Sequence, residues 1–417
     1  MSSHAAGARI ITAWKSRLIV CGATLWFLLL TLGGLAQVKS TTTHTPAPTV
    51  KDAAAALAAG DSKLAETYLQ AVLQASPNDA HALNLLGIIR AQQNRETEAE
   101  SLFRQAIAIQ PGFAGAQADL GLLYIQMGKN ESAIPPLQEA LRLDPGRRDA
   151  QAALLNIWRT LAHAAAQHGD LEKALALLIS ARKVDPVDSD VEYDLGMVAL
   201  GMSLFPDAAD AFNQTLKVKP QDTHALYGLG RAEMALAKFD DAQQVFERYI
   251  ALRPDDASGH YALGVSLQTL QRTADARREF EHSIALQPQQ TESYFQLGLM
   301  ELDGGKLDLA SEDFEHVLSR APQHASALTG MGRVRFQEKR FPEAAALLEK
   351  AIASEPRLRE AHYYLGLTDS RLGRKEDSEK ELAIASRIEH EEVERHQNVL
   401  KILDPDQVQA PESKANQ

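Results

Sequence analysis

The chain has 417 residues, 45% of them hydrophobic and 24% charged, with 55 acidic against 43 basic residues and a formal net charge of -12. That composition can bury a sizeable core, and its acidity argues against nucleic acid or an anionic membrane surface as the main ligand. The single cysteine, Cys21, sits near the amino terminus, so the body of the chain has no disulfide, no thiol nucleophile and no cysteine-based metal site.

Residues 1–36 read as an export element. Arg9, Lys15 and Arg17 precede an uncharged apolar run from Leu18 to Ala36, the order of the n-region and h-region of a signal peptide. Gly34 and Ala36 would suit cleavage before Gln37. The same run is also long enough for one membrane-crossing helix of about 20 residues, so a removed signal peptide and a retained signal anchor both stay open. Either way the remainder is expected outside the cytoplasm: in the periplasm, in the extracellular space, or tethered to the inner membrane through residues 18–36. A Thr/Pro-rich linker, residues 37–48, follows.

From there the sequence is periodic. Prolines return every 34 residues, at Pro77, Pro111 and Pro145 and again from Pro186 through Pro220, Pro254, Pro288, Pro322 and Pro356. Between them a small residue recurs at one position: Gly87, Gly121, Ala162, Gly196, Gly230, Gly264, Gly298, Gly332 and Gly366. A second small residue follows, from Ala99 to Ser378, with a large apolar one four residues later, such as Phe103, Leu178, Phe280 or Leu348. The i, i+4 spacing puts both on one face of a second helix, so each unit reads as a helical hairpin.

The series resembles the tetratricopeptide repeat, a 34-residue helix-turn-helix unit with the pattern W-x2-L-G, then A-x3-F, then P. The resemblance implies an all-α solenoid of about ten hairpins wound into a right-handed superhelix. Its expected units are a degenerate first one at 49–77, then 78–111, 112–145, 146–186, 187–220, 221–254, 255–288, 289–322 and 323–356. The last, 357–403, ends in a long charged helix that would cap the array, and 404–417 reads as a disordered tail.

Two local features depart from the period. Pro135 and Pro136 lie deeper in their second helix than a proline should, which predicts a late start or a kink. Between Pro145 and Pro186 there are 41 residues. Counting back from Pro186 puts Trp158, Leu161 and Ala162 in register and leaves Arg148 to Leu154 as an insertion of helix formers. Seven residues make about two helical turns, so the expectation is a first helix lengthened at its amino end and projecting at one edge, with a loop as the alternative. Arg147, Arg148 and Gln151 would then be a docking edge or a functionless extension.

The resemblance also implies that the first helices line a concave groove, with the fifth residue of each unit facing it. Here that residue is Asn84, Ala118, Tyr193, Tyr227, Tyr261, Phe295, Thr329 or Tyr363, with Arg231 and Arg333 four residues after two of them. Asn84, Tyr193, Tyr227, Arg231, Tyr261, Phe295, Arg333 and Tyr363 are therefore the candidate peptide-binding residues, although such an aromatic stripe also serves packing between neighbours. Catalysis is not expected: His282 and His316, and His163 and His168, lack the spacing of paired ligands, no nucleophile or phosphate-binding motif occurs, and no cofactor or metal is implied. Two functions compete, a scaffold that binds a protein or peptide partner in its groove and a structural component or assembly factor of an envelope machine acting through its convex face and edges.

Overall fold

The computed structural model describes residues 47–403, and among these it contains twenty α-helices and no strand. The described residues divide into two compact units, one up to Val198 and one from Ala199.

The first unit holds α1 (Val50–Ala58), α2 (Ser62–Ala75), α3 (Ala80–Gln92), α4 (Glu96–Ile109), α5 (Ala114–Gln126), α6 (Asn130–Leu143), α7 (Arg148–Gln167), α8 (Leu171–Val184) and most of α9 (Ser189–Gly201). Odd-numbered helices open a hairpin and even-numbered helices close it. The degenerate first hairpin is properly begun: Thr49 and Asp52 form a reciprocal capping box, and Ala53, Ala56 and Leu57 are buried.

The lengthened helix is continuous from Arg148 to Gln167, so the insertion is helical and not a loop. It does not project, however. Ala150, Ala153 and Leu154 on its added turns are buried, and α7 packs on α5 and α6. Two whole turns keep the helix in phase, which lets the inner side of the insertion extend the core. Its polar side is occupied too: Arg147 pairs with Asp149 at 3.1 Å, and Gln151 donates to Asp185 at 3.1 Å. Helix α6 starts at Asn130 and carries Pro135 and Pro136 inside it, so the late start does not occur. The two carbonyls deprived of N–H partners belong to Glu131 and Ser132, both exposed, where solvent can satisfy them.

The second unit continues with α10 (Phe205–Val218), α11 (Thr223–Ala235), α12 (Phe239–Leu252), α13 (Ala257–Thr269), α14 (Thr273–Leu286), α15 (Thr291–Asp303), α16 (Leu307–Arg320), α17 (Ala325–Gln337), α18 (Phe341–Ser354), α19 (Arg359–Arg371) and α20 (Lys375–Leu403). Ala385 and Ile388 of the long last helix are buried, so its first half covers the preceding hairpin. The leader and the tail lie outside the described residues, within which no helix is long and apolar enough to cross a membrane.

The recurring small residue has a steric cause. A Cβ at Gly264 would stand 2.6 Å from the ring of Phe280, and one at Gly230 2.5 Å from the ring of Phe246. Gly87, Gly298, Gly332 and Gly366 meet the large residue of their own second helix in the same way. The hairpins therefore close with backbone against side chain, which only a residue this small permits.

Every described hairpin also turns the same way. One residue per turn is left-handed: Gly60, Asn94, Gly128, Gly169, Ser203, Ala237, Gln271, Gly305, Lys339 and Gly373. The next amide then donates back across the helix end, as from Arg95 to the Arg90 carbonyl and from Lys238 to that of Glu233, which is the Schellman closure.

Charged staples join successive hairpins. In the first unit Arg90 of α3 reaches back to Glu66 of α2 at 2.7 Å, and Tyr124 of α5 donates to Glu100 of α4 at 2.7 Å. At one junction of the second unit the polarity is reversed: Glu301 of α15, 4% exposed, is held by Arg277 of α14 and by Lys306 at 3.2 Å. These bonds hold the Glu301 carboxyl below the usual carboxylate range, outweighing the opposing effect of its burial.

Candidate functional site

The first-helix faces carry the candidate residues, and the structure separates them into three kinds. Asn84 is buried at 5% exposure, donates to Asp119 at 2.8 Å, and has its Oδ1 buried without a partner. It is thus an internal polar group and not part of an open face. Ala118 and Thr329, at the same position in their repeats, are buried as well. A short side chain there is covered by its neighbours, which the sequence position alone does not reveal. Asp119 itself is pushed up to about 6, chiefly by burial, with the Asn84 hydrogen bond and Arg147 opposing it.

The aromatic residues form the second kind. Tyr193 in the first unit, and Tyr227, Tyr261 and Phe295 in the second, are partly buried, whereas Tyr363 is 42% exposed. In the second unit each ring leans on the second-helix phenylalanine of its own hairpin: Tyr227 on Phe246 at 5.9 Å between centroids, Tyr261 on Phe280 at 6.0 Å, Phe295 on Phe314 at 6.1 Å. Tyr227 also meets Tyr249 at 5.3 Å, and Phe295 meets His324 at 5.4 Å. The rings are therefore first a packing layer. Each ring is still partly exposed, and burial pushes the Tyr227 and Tyr261 hydroxyls up.

The two arginines behave oppositely. Arg333 pairs with Asp303 of α15 at 3.1 Å and with Glu360 of α19 at 2.9 Å, and its guanidinium lies 5.1 Å from the Tyr364 ring centre. It links three successive first helices and is consumed by the protein itself. Arg231 is exposed and makes no ion pair among the described residues.

Counting the series through the lengthened hairpin adds Arg159. It binds Asp194 at 2.6 Å and Asp190 at 3.4 Å, while His163, one turn on, reaches Asp194 at 3.0 Å. The Asp194 carboxylate holds the His163 imidazole above its ordinary range. Asp194 is 5% exposed. This part of the first unit is a neutralised network and not a waiting charge.

Among the described residues no group of three or more His, Cys, Asp or Glu side chains could hold a metal ion. The remaining chemistry is that of contact: partly exposed aromatic rings, an exposed guanidinium and a rigid backbone beneath them.

Comparison with known proteins agrees with this architecture. One sequence profile of the tetratricopeptide repeat matches residues 52–112, 159–201, 193–257, 227–291, 261–325, 295–357 and 329–386, and a second matches 90–157. No curated protein is a significant match. Among solved structures, a tetratricopeptide repeat protein from Parabacteroides merdae is 16% identical with a TM-score of 0.49, covering 56% of this chain and 93% of its own. MamA (41-end) from Desulfovibrio magneticus is 21% identical with a TM-score of 0.39, covering 41% of this chain and 97% of its own. YrrB, described as a tetratricopeptide repeat protein with an unusual peptide-binding site, is 22% identical with a TM-score of 0.37, covering 44% and 95%. With the repeat profile matched over most of its length, the chain belongs to the tetratricopeptide repeat family.

Proposed function

We propose that this scaffold for protein interactions works outside the cytoplasm, anchored or released by its leader, and holds an extended segment or helix of a cell-envelope partner along the first-helix face of residues 221–390. The observation that carries this reading is the contrast between Arg231 and Arg333. Arg333 is tied on both sides, whereas Arg231 is exposed beside Tyr227, where an aromatic ring and an unengaged guanidinium together make a favoured interface anchor. The surface is preformed on packed helices, so binding loses little to reorganisation. Work through the opposite face in an envelope assembly is the second reading, and no particular residue favours it.

The test uses Arg231→Glu combined with Tyr363→Ala, two exposed positions whose change leaves the packed rings in place. In cells expressing the full chain with a photo-crosslinker on the first-helix face, the variant should lose its crosslinked partner at unchanged thermal stability. Retention of the same partner at the same yield would sink the reading.

A further inference from the structure

His260 and His362 stand at the same place in two repeats, and both are buried, at 7% and 4% exposure. Nδ1 of His260 lies 2.7 Å from Glu279 and that of His362 2.5 Å from Glu381, each on the second helix of the same hairpin. Nε2 lies 3.0 Å from the Pro254 carbonyl in one case and 3.0 Å from the Pro356 carbonyl in the other, each the proline that closes the preceding repeat. A carbonyl oxygen can only accept, and so can a carboxylate, whereas a neutral imidazole has a single N–H. A neutral ring beside a carboxylate would leave one nitrogen lone pair facing an oxygen, in a buried place where an unmade hydrogen bond costs most.

The sequence treats the two residues as one feature. Where the first position is Leu83, Trp158, Leu226 or Leu328, the second is Leu102, Leu177, Val245 or Leu347. A glutamate occupies it only in the two repeats that carry the histidine, and Asp313, the other carboxylate at that position, stands with Tyr294. An apolar pair and a His–Glu pair thus fill the same space.

We propose that each His–Glu pair holds one proton more than a neutral imidazole and a carboxylate would, and that this proton is a pH-sensitive staple fastening a repeat to the turn before it. Both ring nitrogens then donate, Nδ1 to the glutamate and Nε2 to the proline carbonyl. The proton is bound at lower pH and lost as pH rises, so the staple loosens in the alkaline direction. The charged and titratable groups near His260 are Glu279 and His282 of α14, the latter 4.3 Å away between ring centres, and Asp256 at the start of α13, which accepts from Tyr249 of α12. Near His362 are Glu381 of α20 and, on α19 itself, Asp369 and Glu360, which are engaged by Arg374 and by Arg333 of α17 respectively. The staple acts on the array whether or not the first-helix face binds a partner.

The test is imidazole nitrogen NMR on the full chain, with amide exchange corrected for its intrinsic pH dependence. Both nitrogens of His260 and His362 should be protonated together at low pH. As pH is raised until one ring nitrogen loses its proton, exchange in α13 and α19 should speed up about tenfold relative to α11 and α17. Combining His260→Leu with Glu279→Val copies the apolar pair of the repeat before, and should abolish the step in α13 while leaving it in α19; His362→Leu with Glu381→Leu should do the converse. One protonated nitrogen per ring throughout, an unchanged exchange ratio, or a step that survives the paired substitution would each overturn the proposal.

Discussion

The hairpins of the first unit and those of the second obey one repeat and fill it differently. In α1 to α8 the large second-helix residues are Leu69, Phe103, Leu137 and Leu178, and the opposing fifth positions are small or polar. From α10 to α16 they are Phe212, Phe246, Phe280 and Phe314, all at most 1% exposed, and aromatic rings of the first helices lie on three of them. Phe212 and Phe314 also press on a second glycine, Gly228 and Gly330, in the first helix of the repeat that follows. The stripe of aromatic residues that looks like a binding ladder is therefore the outer layer of an aromatic core.

Removing a phenylalanine should widen this contrast most. Phe314→Ala takes out a ring wedged between Gly298 and Gly330 and under Phe295, with an expected loss of about 3–5 kcal/mol, whereas Leu178→Ala in the first unit should cost toward the lower end of about 2–5 kcal/mol. Denaturant unfolding would show it, and equal losses at the two sites would erase the distinction drawn between the cores. Because repeats contact only their neighbours, hydrogen exchange should place the damage in α15 to α18.

A smaller effect should appear as pH dependence in the first unit. The Asp119 carboxyl is raised from 3.8 to about 6 in the folded chain, so the folded state binds its proton more tightly than the unfolded state does. Stability from this group then rises as pH falls from about 6 to about 4, and its ionised form is a burden at neutral pH. Asp119→Asn should stabilise the chain at neutral pH and lose that advantage near pH 4. Parallel stability curves for the two proteins across this range would refute the assignment.

The smallest effect concerns the turns. In the first unit Gly60, Gly128 and Gly169 take the left-handed position beside Asn94, while the second unit places Ser203, Ala237, Gln271 and Lys339 there as well as Gly305 and Gly373. Ala237→Gly relieves a strained Cβ but frees the unfolded chain, for a net gain of about 1 kcal/mol or less. A thermal shift downward would show that the alanine is not strained.

Much of this was legible in the sequence. The glycine-to-phenylalanine spacing, the hairpin order and the register of the lengthened repeat all follow from residues close in the chain and a fixed period. What stayed hidden depends on neighbours one repeat away. Nothing local to Asn84 says that Asp119 will cover it, nor to Arg333 that Asp303 and Glu360 will claim it. Seven helix-forming residues ahead of the repeat predict that the added turns of α7 project, yet Ala150 and Ala153 are buried on a helix that packs on α5 and α6. The His260–Glu279 and His362–Glu381 pairs are visible only when the repeats are laid over one another, because the partners sit on different helices and neither residue alone marks a motif.

The reversed polarity of the Glu301 staple bears on how such a chain can evolve. A periodic gene invites recombination between its own copies, and the in-frame loss of residues 255–288 would leave the 34-residue rhythm intact. It would also bring Glu301, buried at 4% exposure, against Gln243 in place of Arg277, with Lys306 as its remaining cation. The repeats share a shape and are still not freely interchangeable, because a buried charge such as that of Glu301 is matched by the hairpin it was inherited with.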